Sequence, residues 1–299
     1  MSAIAAKTRA MSTDFAALAV ALGDLENHLF RGKDEWQVAA SDPDNAQATF
    51  VDWRAARRSE LEQLADDWST EYRTFGSSTP VYLNGMLAEY GIKPCFKETD
   101  RVGIASVFDL QPEWPSSVPS CVIRAEDGEP FEGIAIDQVQ FFSTQLGCGD
   151  LKDPLIRIPV AGGWLWLMAT GRPANEANLS LRATTILEAS HKLDERYGNR
   201  LAMPALDMTL TSDVSWLVGM FGGKQKTKVI DRVLHRLTIK IQPNTPSNGT
   251  ITRNITPDTF IMNEPFMGFF TRNAHSTLPL NVFYVDPSCW SEPKEAIPV

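Results

Sequence analysis

The chain has 299 residues, 43% of them hydrophobic and 22% charged, which is the make-up of a globular protein long enough to bury a sizeable core. Its net charge of −9, from 28 basic and 37 acidic residues, argues against broad nucleic-acid binding, which needs Lys and Arg clustered over phosphates. No apolar run is long enough for a membrane-spanning helix, so no membrane partner is expected.

The N-terminal stretch MSTDFAALAVALGDL reads as a capped helix rather than a signal peptide, because its apolar core, Phe15–Leu22, is short and preceded by Asp14. Ser12 or Thr13 is the expected N-cap, with Phe15, Leu18, Leu22 and Leu25 on one face. Ala39–Gln47 (AASDPDNAQ) is a polar loop. Beyond it, Leu61, Leu64, Trp68, Tyr72 and Phe75 recur at steps of three and four, predicting one amphipathic helix that stops at Gly76–Pro80. The helical part thus spans residues 12–76.

From about residue 100 to 290 the period becomes that of strands: RVGIASVFDL, EGIAIDQVQFFST, LIRIPV, GWLWLMAT, RLAMPALDMTL, VLHRLTIKI, TFIMNEPFMGFF and PLNVFYVD. Helical patterns interrupt at Leu181–Tyr197 and, more briefly, at Val214–Phe221. The basic run Gly223–Lys228 reads as a solvated loop. Helices first and many strands afterwards, with no repeat and no linker, predict a single α+β domain over 1–299 with large mixed and antiparallel sheets.

Several of these segments, in this order, resemble the serpin family. FIMNEPFMGFFTRNAHSTLPLNVFYVDP is similar to the family's closing pair of core strands, with Phe260, Pro265, Phe266, Phe269, Phe270, Arg272 and Pro287 in register. LAMPALDMTLTSDVSWLVGMFG resembles the segment written P-x-F-x-L-x-x-x-x-D-L, through Pro204, Asp213, Leu217 and Gly222, with Leu206 at the usual Phe. VLHRLTIKI resembles the strand V-x-H-K-A-x-I-E-V through Val233, His235, Arg236 and Ile239. GIASVFDLQPEWPSS resembles the central-sheet strand leading to a Trp, here Trp114, and EDGEPFEGIAIDQVQFFST the hairpin after it. The resemblance covers about residues 102–287 and implies a serpin-like fold with a shortened helical N-terminal part.

The resemblance also implies what should follow VLHRLTIKI: a Glu-Gly-Thr hinge, small residues and an exposed reactive loop that inserts into the main sheet to trap a protease. This chain has QPNTPSNGTITRNITPDT there, and eighteen residues separate Ile241 from Phe260. Pro243, Pro246 and Pro257 donate no ladder hydrogen bond, so they are poor residues for an inserted central strand. Ser247–Thr250 reads as a tight turn. A truncated, non-inhibitory protein lacking the reactive-centre loop is expected.

Candidate chemistry is sparse. Cys95, Cys121, Cys148 and Cys289 form no CxxC pair, and His28, His191, His235 and His275 are far apart, so neither a metal centre nor another cofactor is expected. Reduced thiols point to a cytoplasmic location. His235 could serve as a general base or be a histidine hydrogen-bonded between sheets. Asp137 fits strand alternation poorly and could be an acid–base group or an outward carboxylate, as could Asp109 and Asp207. Ser106 and Ser143 lack a nucleophile-elbow context. Trp164 and Trp166 share a strand face, which is either a buried wall or one side of a pocket for an apolar or cationic small molecule.

With eight Trp, nine Met and fifteen Phe, apolar lining is plentiful and ionisable groups are few. The expectation is a protein that binds a hydrophobic small molecule, as a cofactor-independent cyclase or isomerase of bacterial specialised metabolism. The alternatives are a non-catalytic interaction or carrier module and a residual protease inhibitor.

Overall fold

A computed structural model describes residues 10–31, 35–66, 72–144, 154–173, 175–192, 199–223, 227–244, 257–274, 276 and 278–292. The chain enters as a three-residue strand, β1 (Met11–Thr13), and turns into α1 (Phe15–Phe30). The helix is capped not by Ser12 or Thr13 but by Asp14, whose Oδ1 accepts the Ala17 N–H at 2.8 Å. Ser12 and Thr13 are committed to pairing with β16 (Asn281–Val285), opposite Phe283 and Val282. From Phe15 to Leu22 every residue of α1 is buried, so the helix lies inside the core rather than on its surface.

The helical pattern after it divides. α2 (Ala46–Ala56) ends at Arg57 and α3 (Arg58–Asp66) follows at once, burying Leu61 and Leu64 as the periodicity predicts. Tyr72 and Phe75 depart from the prediction, because they lie in strand β2 (Tyr72–Ser77); Trp68 falls outside the described residues. Tyr, Thr and Phe favour a strand once a partner is present, and β2 pairs antiparallel with β3 (Val102–Leu110). Gly76 lets β2 pass under α1, since a Cβ there would stand 2.7 Å from Leu25 Cγ. α4 (Leu83–Ala88) lies between β2 and β3 in the chain and packs Leu83 and Leu87 over Ala105, Val107 and Leu234.

Next come β4 (Ser120–Arg124), β5 (Pro130–Asp137), β6 (Gln140–Thr144), β7 (Leu155–Val160) and β8 (Gly163–Ala169). α5 (Glu176–Glu188) is capped by Asn175, whose side chain accepts the Asn178 N–H. It is shorter than the Leu181–Tyr197 pattern suggested, because β9 (Ser190–Lys192) takes the chain to the edge of a sheet beside β6. After β10 (Arg200–Pro204) and β11 (Leu206–Asp213), the expected short helix is one 3-10 turn, Ser215–Leu217. β12 (Phe221–Gly222), β13 (Lys228–Ile241), β14 (Thr259–Ile261), β15 (Phe266–Thr271) and β16 complete the strands.

Three sheets result among the described residues. The largest runs β1-β16-β15-β8-β7-β6-β9, antiparallel throughout. A second runs β11-β13-β3-β2, with β12 also on β13, and a third β14-β10-β5-β4. Strand alternation sorts the two faces of the large sheet: Leu165 and Leu167 enter the main core with α1, while Trp166 and Met168 face α5. Among the described residues no helix is long and apolar enough to cross a membrane.

The pair β15–β16 shows how tightly this core is fitted. Gly268 stands opposite Phe283, and a Cβ on Gly268 would come within 2.2 Å of Phe283 Cζ. The fully buried ring therefore occupies the space that any other residue at 268 would need. Gly268→Ala is expected to lower the unfolding free energy by about 2–3 kcal/mol through overpacking, read from urea denaturation. Adding Phe283→Leu should recover part of that loss.

Candidate functional site

The five-stranded sheet places His235 and Ser106 next to each other. β13 and β3 run parallel from the pair Ile230–Val102 to Ile239–Leu110, with His235 opposite Ser106. Alternation turns both side chains towards the main core, like Val233 and Ile104. The Ser106 hydroxyl and His235 Nδ1 share a hydrogen bond of 2.8 Å, and both residues are fully buried. Burial pushes the imidazole down from 6.5 to about 4. A neutral, fully buried ring can orient a hydroxyl, but it meets no solvent-borne substrate, and its hydrogen bond runs to the neighbouring strand of the same sheet rather than between sheets as expected.

Asp137 is elsewhere. It ends β5 opposite Arg200 of β10, and Arg200 Nε donates to its carboxylate at 2.8 Å on a half-exposed edge. Asp207 is exposed and accepts from Gln242 Nε2 at 3.0 Å. Asp109 is half-buried in β3, opposite Thr238. His235 and Asp137 thus lie in different sheets and form no acid–base pair. The side chains of Ser143, His191 and His275, like Cys148, fall outside the described residues.

Trp164 and Trp166 do share a face, and the slot between them is filled from within. The Arg157 guanidinium sits 4.7 Å from the Trp164 ring, 5.2 Å from Trp166 and 4.8 Å from Phe142. Its Nη1 donates to the Ala274 carbonyl at 2.9 Å and its Nε to Gln140 Oε1 at 2.9 Å. Trp166 stacks on Phe269, with ring centroids 6.1 Å apart, and its Nε1–H donates to Thr271 Oγ1 at 2.8 Å. The expected cationic guest of these rings is a residue of the chain itself.

Open space occurs instead between helices. A half-open cleft of about 320 Å³ lies between α1, α2, α3 and the segment Glu35–Trp36. That volume is in the range of small-molecule sites. Val20, Val51, Ala55, Leu61 and Trp36 supply apolar lining, and Asp24, Glu26, Glu35, Glu62, Arg54 and Arg58 supply charge. Arg54 grips the Glu26 carboxylate with both terminal nitrogens, at 2.7 and 2.5 Å, and Glu26 also accepts the Trp36 N–H at 3.3 Å. Arg58 reaches Glu35 at 3.1 Å. Partial burial raises the Asp24 carboxyl above its ordinary range. The sequence carried a signal for this site in Gly23-Asp24, a helix-weakening pair in an otherwise apolar run of α1. Among the described residues no group of His, Cys, Asp and Glu is arranged to hold a metal ion, and Cys95, Cys121 and Cys289 are not disulfide-bonded.

A last cluster lies where β13 ends. Trp114 Nε1 donates to the Gln242 carbonyl at 2.9 Å. Asn244 accepts the Val118 N–H at 2.8 Å through Oδ1, and donates to the Ser116 carbonyl at 2.9 Å through Nδ2 and to the Val118 carbonyl at 3.2 Å through its backbone N–H. The start of the Pro-rich connection is thereby tied to the chain that leaves β3. At the other end of the same seam, Arg101 donates to the Asp231 carboxylate from its backbone at 2.6 Å and from its guanidinium at 2.7 and 3.0 Å. The Arg101 hydrogen bond holds the Asp231 carboxyl below its ordinary range. Residues 245–256, including Pro246 and the turn expected at Ser247–Thr250, lie outside the described residues.

The depressed His235 pKa gives a signed expectation. The unfolded chain takes up a proton on this residue near 6.5 and the folded chain only near 4, so its contribution to stability is complete above 6.5 and is lost as pH falls towards 4. The buried Asp14 carboxyl is shifted well upward and acts with the opposite sign, but it cancels when His235→Gln is compared with the parent chain. The difference in unfolding free energy between the two should narrow by about 3 kcal/mol between neutral pH and the lower pKa, measured by denaturant titration across that range.

No family model matches this chain, and no curated protein matches it. Solved structures do. Mouse protein-Z dependent protease inhibitor is 8% identical with a TM-score of 0.55, the match covering 94% of this chain and 91% of that one. Manduca sexta serine protease inhibitor serpin-12 is 10% identical, with a TM-score of 0.54 and 97% and 96% coverage. The thermophilic serpin tengpin in its native state is 12% identical, with a TM-score of 0.53 and 95% and 89% coverage. At these identities the likeness is one of fold, and it extends beyond residues 102–287 into the helical part: this chain has a serpin-like α+β fold.

Proposed function

We propose that this chain is a non-inhibitory protein built on a serpin-like fold, and that it works by binding a small molecule with an apolar body in the cleft between α1, α2 and α3. The observation that carries the first half is the closed seam between β3 and β13. A strand inserted there would have to break the Trp114–Gln242 and Asn244 bonds at one end and the Arg101–Asp231 bonds at the other. The chain that would insert begins with Pro243 and Pro246, neither of which can donate to a central ladder. Extended, the eighteen residues between Ile241 and Phe260 reach about 60 Å at roughly 3.3 Å each, and part of that length is spent returning to β14.

The second half rests on the size and partly apolar lining of the cleft. Binding without chemistry is the reading it favours, because neither catalytic candidate lines it: His235 is sealed in the core and Asp137 is paired with Arg200 at the end of β5. The two neighbours described as protease inhibitors share the fold at 8% and 10% identity, and a shared fold does not transfer activity.

The test is incubation with a panel of serine and cysteine proteases, read by mass spectrometry and by thermal melting. The expected outcome is no stable covalent complex. Proteolytic nicking within residues 242–258 should leave the melting temperature level or lower, since no new strand joins the sheet. A covalent complex, or a large rise in melting temperature after nicking, would overturn the non-inhibitory reading.

A further inference from the structure

We infer that the cleft between α1, α2 and α3 selects an amphipathic organic cation, an ammonium or guanidinium head on an apolar body; this rests on the small-molecule reading above. The lining carries four carboxylates, Asp24, Glu26, Glu35 and Glu62, against two guanidiniums, Arg54 and Arg58, a net charge of −2. Both guanidiniums are engaged. Arg54 forms a two-pronged pair with Glu26, joining α2 to α1, and Arg58 pairs with Glu35, joining α3 to the segment that closes the cleft. These pairs link the walls and neutralise one carboxylate each. Asp24 and Glu62 are left without a hydrogen-bonding or cationic partner among the described residues.

Desolvation makes the choice of ligand class. Any molecule entering a cleft of this size removes water from the carboxylates that line it. A neutral apolar guest leaves that cost uncompensated, and an anion adds repulsion from the net negative lining. A cation restores with one contact what the displaced water supplied, while its apolar body covers Val20, Val51, Ala55 and Leu61. The raised carboxyl of Asp24 is in keeping with this, since partial burial without a positive neighbour disfavours its charge.

The experiment is calorimetric titration of the full chain with octylammonium, octanol and octanoate, which share one apolar body and differ in charge. Octylammonium is expected to bind at least about tenfold more tightly than either of the others. Asp24→Asn with Glu62→Gln should reduce that preference to about threefold or less, and Ala55→Trp should abolish binding by filling the cleft. Asp24, Ala55 and Glu62 are all exposed, so these variants keep the core intact, which circular dichroism and melting check directly. Equal binding of octanol and octylammonium would overturn the cationic class and leave the small-molecule reading standing. Octylammonium binding unchanged in Ala55→Trp, or charge preference unchanged in the double variant, would overturn the site. Failure of all three probes to bind would overturn both the cationic class and the small-molecule reading.

Discussion

The parallel pairing of β3 with β13 is the constraint on which the rest of the molecule depends. Parallel neighbours need a long connection between them, and here that connection contains β4 to β12 and α5. Once Val102–Leu110 lies along Ile230–Ile239, the intervening chain has to fold back across the remaining two sheets. β11 then pairs on the far side of β13 and β2 on the far side of β3, which seats α1 between this sheet and the large antiparallel one. A bulge between Ile230 and Arg232 marks where the register begins, with Asp231 turned out to take Arg101.

That one pairing has separate consequences for chemistry. It brings Ser106 and His235 together in the core, where desolvation keeps the ring neutral and its hydroxyl partner holds it in place. It also delivers the end of β13 to Trp114 and the residues after it, where Asn244 is held by three hydrogen bonds. His235, the candidate general base, is thereby packed into the core. The open cleft lies away from these residues, among α1, α2 and α3, whose exposed faces did not have to satisfy strand pairing.

Legibility followed the physics of each segment. Alternation in GWLWLM correctly placed Trp164 and Trp166 on one face and Leu165 and Leu167 on the other, because a strand's period of two survives any environment. Helical spacing failed at Tyr72 and Phe75: Tyr, Thr and Phe also favour strands, and pairing with β3 decided the outcome at Tyr72–Ser77. Ser12 and Thr13 were plausible caps, but the cap moved to Asp14 because the two preceding residues were needed as an edge strand for β16. The filling of the Trp164–Trp166 slot by Arg157 was not visible in a list of residues, since Arg157 reaches the rings from the neighbouring strand β7.

By itself the sequence determined the α+β class, eight strand-forming segments after residue 100, the shared face of Trp164 and Trp166 and the Pro-rich character of the link after Ile241, because composition and period are local properties. The tertiary structure alone decided which polar groups meet. It sealed His235 with Ser106, sent Asp137 to Arg200, gave the tryptophans an internal cation, and left Asp24 and Glu62 facing an open cleft without one. Desolvation and pairing depend on what stands a few ångströms away in space, and for His235, Asp137 and the tryptophans that neighbour comes from a distant part of the chain.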